Sequence, residues 1–197
     1  MLAKSLSAAL LACALLLPAP ATFAEARDPG PIASVPVAKS KMTRKERKAI
    51  AAAQAAAEAE RMALKEVVAE VASAPKKGRI WCVPFARAVS GIEIKGNAAT
   101  WWKQAADLYD RGNEPKVGAV LNFRASKAMP MGHVAVVSAV VSEREVLVDQ
   151  ANWERNRITE DTLVVDVSAK NDWSQVRVAN SNGTLGRTNP VYGFIYR

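Results

Sequence analysis

Six short segments rich in β-branched and aromatic residues, 117–123, 133–141, 146–152, 163–167, 174–178 and 191–196, follow one another through the second half of the chain, separated by turn-forming clusters. Short runs of this kind read as strands, and their close succession calls for antiparallel pairing. The stretch just before them reads as helical: residues 83–89 form one predicted helix, and Asn97 is placed to cap a second over 98–109. Helices first and strands afterwards predict an α+β domain in which N-terminal helices pack on an antiparallel sheet of about six strands. All five Trp and all three Tyr lie beyond Arg79, so the core of this domain is assigned to residues 80–197.

What precedes it has a different character. Lys4, an apolar run over 8–17, Pro18, Pro20 and small residues up to Ala21 or Ala24 follow the charged, apolar, small order of a secretory signal peptide, assigned to residues 1–24. The run is too short to span a bilayer, which takes about 20 apolar residues. Leu10, Leu11, Ala12 and Cys13 imitate a lipoprotein box, but Cys13 lies inside the apolar run rather than at its end, so anchoring there is not expected. The expected location is the periplasm or the exterior.

Residues 25–42, with Pro29, Pro31 and Pro36, read as a flexible linker. Thr43 and Glu46 form a capping box, and the Ala/Glu/Lys-rich stretch behind them predicts a helix within 43–73. Its apolar stripe, Ile50, Leu64, Val67, Val68 and Val71, gathers toward the C-terminal end, which is expected to dock on the following domain or on another copy. Residues 74–79, with Pro75 and Gly78, break the helix and link it to the domain. From residue 25 to 79 there are 12 Lys/Arg against 7 Asp/Glu, and from 80 onward 14 against 12, so the basic excess sits on the extension. Such a helix suits an anionic envelope surface or a partner protein, while nucleic acid is excluded by export and by the absence of any groove-reading motif.

Loss of the leader removes Cys13 and leaves Cys82 as the only thiol. A free cysteine is ordinarily a small buried apolar residue. Here Pro84 places Cys82 at a helix start, where the partial positive charge of the helix end favours thiolate. His133 is the only histidine of the chain, at the head of an alternating strand. A thiol and an imidazole, both unique, point to a nucleophile with its general base. A third group must fix the imidazole, and strand alternation puts Gln150 and Asn152 on one face of the next strand and Asp149 on the other. Asn152 is preferred for this role; a bulge would change the choice. One His and one Cys are too few for a zinc site, and no phosphate-cradling motif is present, so no metal and no cofactor is expected.

In order along the chain, residues 81–87 (WCVPFAR), 96–98 (GNA) with Trp101 and Trp102, 115–123 (PKVGAVLNF), 132–137 (GHVAVV) and 150–153 (QANW) resemble the CHAP family of cysteine- and histidine-dependent amidohydrolases and peptidases. The resemblance implies a papain-like fold, Cys82 as nucleophile, His133 as base, Asn152 as orienting residue and peptidoglycan as substrate. Many members carry Glu two positions before this Asn, where Gln150 stands here. Gln150 is then a candidate donor to the oxyanion beside the Cys82 backbone N–H. Trp81, Trp101, Trp102 and Trp153 are candidates for lining a substrate groove. The expected activity is cleavage of the muramoyl-alanine amide or of a stem or cross-bridge peptide. The alternatives are a non-catalytic wall-binding or division scaffold, and an amidase of small molecules.

Overall fold

The computed structural model describes residues 42–75 and 78–197. The expected leader and nearly all of the 25–42 linker lie outside the described residues. The chain runs α1 (Arg44–Ser73), α2 (Cys82–Ser90), α3 (Ala98–Gln104), a 3-10 turn (Ala105–Asp107), β1 (Arg111–Gly112), β2 (Val120–Phe123), β3 (His133–Ser142), β4 (Glu145–Ala151), β5 (Ile158–Asp166), β6 (Gln175–Ala179) and β7 (Leu185–Ile195). The α+β reading holds.

The helix starts differ in how they are satisfied. At α1 both halves of the capping box form: the Thr43 hydroxyl accepts from Glu46 N–H at 3.2 Å and the Glu46 carboxylate accepts from Thr43 N–H at 2.7 Å. Asn97 occupies the N-cap position of α3, but its side chain makes no capping bond. The Ala99 N–H that a cap would serve donates instead to Met131 O at 2.8 Å, which ties α3 to the loop before β3. That helix also stops earlier than the sequence suggests, tightening into the 3-10 turn after Gln104.

The sheet departs from expectation in its closure. Its order is β1-β7-β2-β3-β4-β5-β6, every pair antiparallel, and β6 pairs back onto β7, so β2 to β7 close into a barrel with β1 as an extra short strand. Closure is possible because β7 has 11 residues and serves two neighbours. Its first half pairs with β6 (Gln175 opposite Pro190), and its second half with β2 (Val120 opposite Ile195). A register shift in the β2–β7 pairing at Asn122/Phe123 marks the change of partner, the usual way a strand bends around a corner. Gly193, at φ 138°, sits at this crossing. A Cβ there would lie 2.5 Å from Gly112 O and 3.0 Å from the Trp102 ring, so only glycine lets β1 and β7 approach.

Strand alternation divides the apolar residues into two clusters. Ala119, Leu121, Phe123, Ala135, Val137, Val146, Val148, Val164, Trp173, Val176, Val178, Val191 and Phe194 fill the barrel. Val120, Val134, Val136, Ala151 and Ile195 face the other way, onto Phe85, Ala86 and Val89 of α2, Ala98 and Trp101 of α3, and Leu64 and Val68 of α1. The C-terminal end of α1 therefore docks on the domain, while Ile50 nearer its start remains exposed. Trp101 is wholly buried in this outer cluster and Trp102 stacks on Tyr192, with ring centroids 5.7 Å apart.

Candidate active site

α2 begins at Cys82 itself, with Trp81 at the N-cap making no side-chain capping bond. The first N–H groups of the helix therefore remain free for the thiol. Backbone N–H groups of Val134, Val83 and Cys82 all act on the sulfur in the direction that favours thiolate, but burial is the larger influence and holds the thiol above its ordinary pKa. The helix start does act in the direction its position predicts, but a half-buried sulfur loses more by leaving water than it gains from three amide dipoles. The resting sulfur is protonated near neutral pH.

The Val134 N–H that reaches the sulfur belongs to the residue after His133, so the first turn of α2 meets the start of β3. Gly132, at φ 67°, lets α3 and β2 close on the segment that enters β3. A Cβ on it would lie 2.7 Å from Ala99 N and 2.9 Å from Phe123 O, leaving no room for a side chain between α3 and β2. His133 follows at the rim of the barrel, 5% exposed. Its ring lies edge-on to Phe123 at 5.5 Å and tilted against Trp153 at 5.1 Å.

The group that reaches the imidazole is Gln150, whose Oε1 lies 2.9 Å from His133 Nε2. Gln150 is wholly buried on the face of β4 that also carries Val146 and Val148, as alternation requires. With the amide oxygen accepting, Nε2 carries the hydrogen and Nδ1 is left as the basic nitrogen. Asn152 does not make this contact. β4 ends at Ala151, and Asn152 turns into the left-handed region at φ 62°, where its Oδ1 accepts from Asn156 N–H at 2.8 Å. Asp149 points to the opposite face and pairs with Lys65 of α1 at 2.8 Å. The Gln150 amide nitrogen is buried with no partner among the described residues. Gln150 is not among the residues lining the cleft described below, so the arrangement does not aim it at an oxyanion there.

Burial lowers the imidazole pKa to about 4, against the opposing effect of the Gln150 bond. A neutral amide cannot compensate an imidazolium as a carboxylate would. The pair is thus neutral thiol and neutral imidazole at rest. The folded ring titrates at about 4 and an unfolded one near 6.5, so the unfolded chain takes up this proton first as pH falls. The contribution of the neutral buried ring is complete above pH 6.5 and is lost as pH drops to about 4, amounting to about 3 kcal/mol. Urea unfolding of the native chain and of His133→Gln is expected to diverge by that amount across this window; parallel pH profiles would contradict it.

Cys82 and His133 line one cleft of about 660 Å³. Trp81, Trp153 and Asn152 also line it, whereas Trp101 and Trp102 do not, being occupied in the outer cluster and against Tyr192. Sequence reasoning passed over Met129, Met131, Arg79 and Arg187, which complete parts of the wall. It also missed Asn156, whose Oδ1 accepts from Ile80 N–H at 2.8 Å and so ties the β4–β5 turn to the entry of α2. No motif marks these residues; they come together only through barrel closure and the long loops.

The model of the CHAP domain family matches residues 74–152. Among curated proteins none matches the chain. The matched segment spans α2, α3 and β1 to β4, and with them Cys82, His133, Gln150 and Asn152; CHAP domains are typically hydrolases, of the amidase and peptidase kind that acts on peptidoglycan. The match over this segment agrees with the resemblance carried by the residues quoted from the sequence: residues 74–152 are similar to the CHAP domain family.

Proposed function

We propose that the chain is an exported cysteine hydrolase that cuts amide or peptide bonds of peptidoglycan, on a papain-like arrangement in which a helix presents the nucleophile to a histidine on the barrel. The observation that carries this reading is the meeting of the only thiol beyond the leader with the only imidazole on one cleft, the imidazole held through Nε2 by Gln150. Export rests on the leader-like order of residues 1–24, which makes the periplasm or the exterior the proposed location.

In the proposed reaction His133 Nδ1 takes the Cys82 thiol proton as sulfur attacks the carbonyl carbon, forming the C–S bond. The imidazolium then returns that proton to the leaving amine as the C–N bond breaks, leaving a thioester. Water, deprotonated by the same nitrogen, releases the acid and restores the thiol. Gln150 keeps the ring in the productive tautomer throughout, the part Asn152 was expected to play. The Cys82 N–H at the start of α2 is the candidate donor to the tetrahedral oxyanion.

Gln150→Glu tests the orienting role. A carboxylate on Nε2 stabilises imidazolium, so the acid limb of kcat/KM, expected near the imidazole value of about 4, moves to higher pH. An unmoved limb would remove Gln150 from the site. The bond itself is identified by mass spectrometry of muropeptides incubated with the chain: intact stem peptides identify an amidase, and new termini within the stem an endopeptidase. Muropeptides left whole by active, folded protein would overturn the substrate assignment.

A further inference from the structure

The cleft that holds Cys82 and His133 has a one-sided charge. Among the described residues its lining includes two guanidinium groups, Arg79 and Arg187, and no Asp or Glu. Arg79 lies over the Trp81 ring, with its guanidinium carbon 4.3 Å from the centroid, so its position is fixed by an aromatic face rather than by a carboxylate. Arg187 spends Nε on Asn189 Oδ1 at 3.3 Å, which leaves its terminal nitrogens unspent. Neither arginine is ion-paired among the described residues. Unmatched, pre-oriented guanidinium forks suit the bidentate recognition of carboxylates.

We infer that Arg79 and Arg187 form a carboxylate subsite, and that the substrate is an acidic peptide bearing a free carboxylate beside the scissile amide. The inference rests on the hydrolase reading and narrows it: a stem peptide with free carboxyl groups is bound, and the same peptide with those groups amidated is discriminated against. Arg79 lies three residues before the nucleophile and Arg187 on β7, so the two approach the cleft from separate elements. The Met129 and Met131 side of the cleft offers an apolar surface for the neighbouring parts of the peptide.

The test separates binding from cleavage. Full-length chain carrying Cys82→Ala, which retains the cleft, is titrated with a disaccharide-tripeptide muropeptide and with its fully amidated counterpart, following tryptophan fluorescence. The acidic form is expected to bind about tenfold more tightly or better, the preference weakening with added salt. Adding Arg79→Gln or Arg187→Gln should collapse the preference toward unity by weakening the acidic ligand alone, with Arg→Lys restoring part of it. Equal binding of the two forms, an equal loss for both in the Arg variants, or no binding of either would overturn the subsite. Failure of the hydrolase reading looks different: the carboxylate preference persists while the native chain cleaves neither form.

Discussion

Lys65→Met is expected to destabilise the protein by about 3 to 5 kcal/mol, a large part of the 5 to 15 kcal/mol that holds an ordinary domain together. Asp149 is wholly buried on β4, and its Oδ1 is met by Lys65 Nζ at 2.8 Å and by the Asp161 N–H at 2.8 Å. Lys65 also reaches Asp161 at 3.0 Å and Glu160 at 3.2 Å, so one ammonium on α1 serves three carboxylates. Burial alone would lower the lysine pKa, but its bonds to Asp149 and Asp161 prevail and hold it above the ordinary value. For Asp149 the balance is reversed: burial outweighs the lysine and raises the carboxyl pKa. The two directions describe a pair that is costly to bury and costlier to break. Removing the lysine leaves a carboxylate out of water without a counter-charge, whereas Lys65→Met with Asp149→Leu replaces the pair by apolar contact and should recover most of the loss. Urea unfolding of the two single variants and the double one measures this, and the Lys65→Met deficit should shrink as acid protonates Asp149. Asp149 precedes Gln150, so the same ion pair secures the strand that holds the imidazole.

Loss of Cys82 or of His133 is expected to lower kcat by at least about 10⁴-fold, with the double variant no worse than either single one. A thiol whose pKa is raised by burial has little thiolate of its own near neutral pH, so it depends on the adjacent base more than an already ionised cysteine would. Substituting the base therefore costs nearly as much as substituting the nucleophile. If His133→Ala kept most of the activity, the imidazole would not be the proton acceptor. The same comparison excludes a scaffold reading, which assigns neither residue a chemical task.

Local signals were the legible ones. The capping box at Thr43 and Glu46 marks the start of α1 because both partners lie within four residues, and the docking end of that helix shows in where Leu64 and Val68 fall. The strand segments were legible through their composition, but closure was not. β7 begins at Leu185, six residues before the segment read from sequence, and Asn189 and Pro190 there look like a turn. Their role as strand residues comes from pairing with β6, a long-range fact. The two-residue β1 carries no alternation at all. Within the site, His133 stood out as the only histidine and Cys82 as the only cysteine beyond the expected leader. The choice between Gln150 and Asn152 depended on where β4 ends, and a left-handed residue at 152 is invisible to a period-two argument. The protonation of the thiol was equally hidden, since helix position is local while burial is set by long-range packing against the outer cluster.

The central claim is that Cys82 attacks an amide of peptidoglycan. Its most direct measurement is digestion of purified sacculi by the chain beside its Cys82→Ala variant, with soluble products resolved by mass spectrometry. The native chain is expected to release stem peptides or opened cross-bridges, and the variant, folded to the same stability, to release none. Equal release by both, or intact sacculi under the native chain, would contradict it.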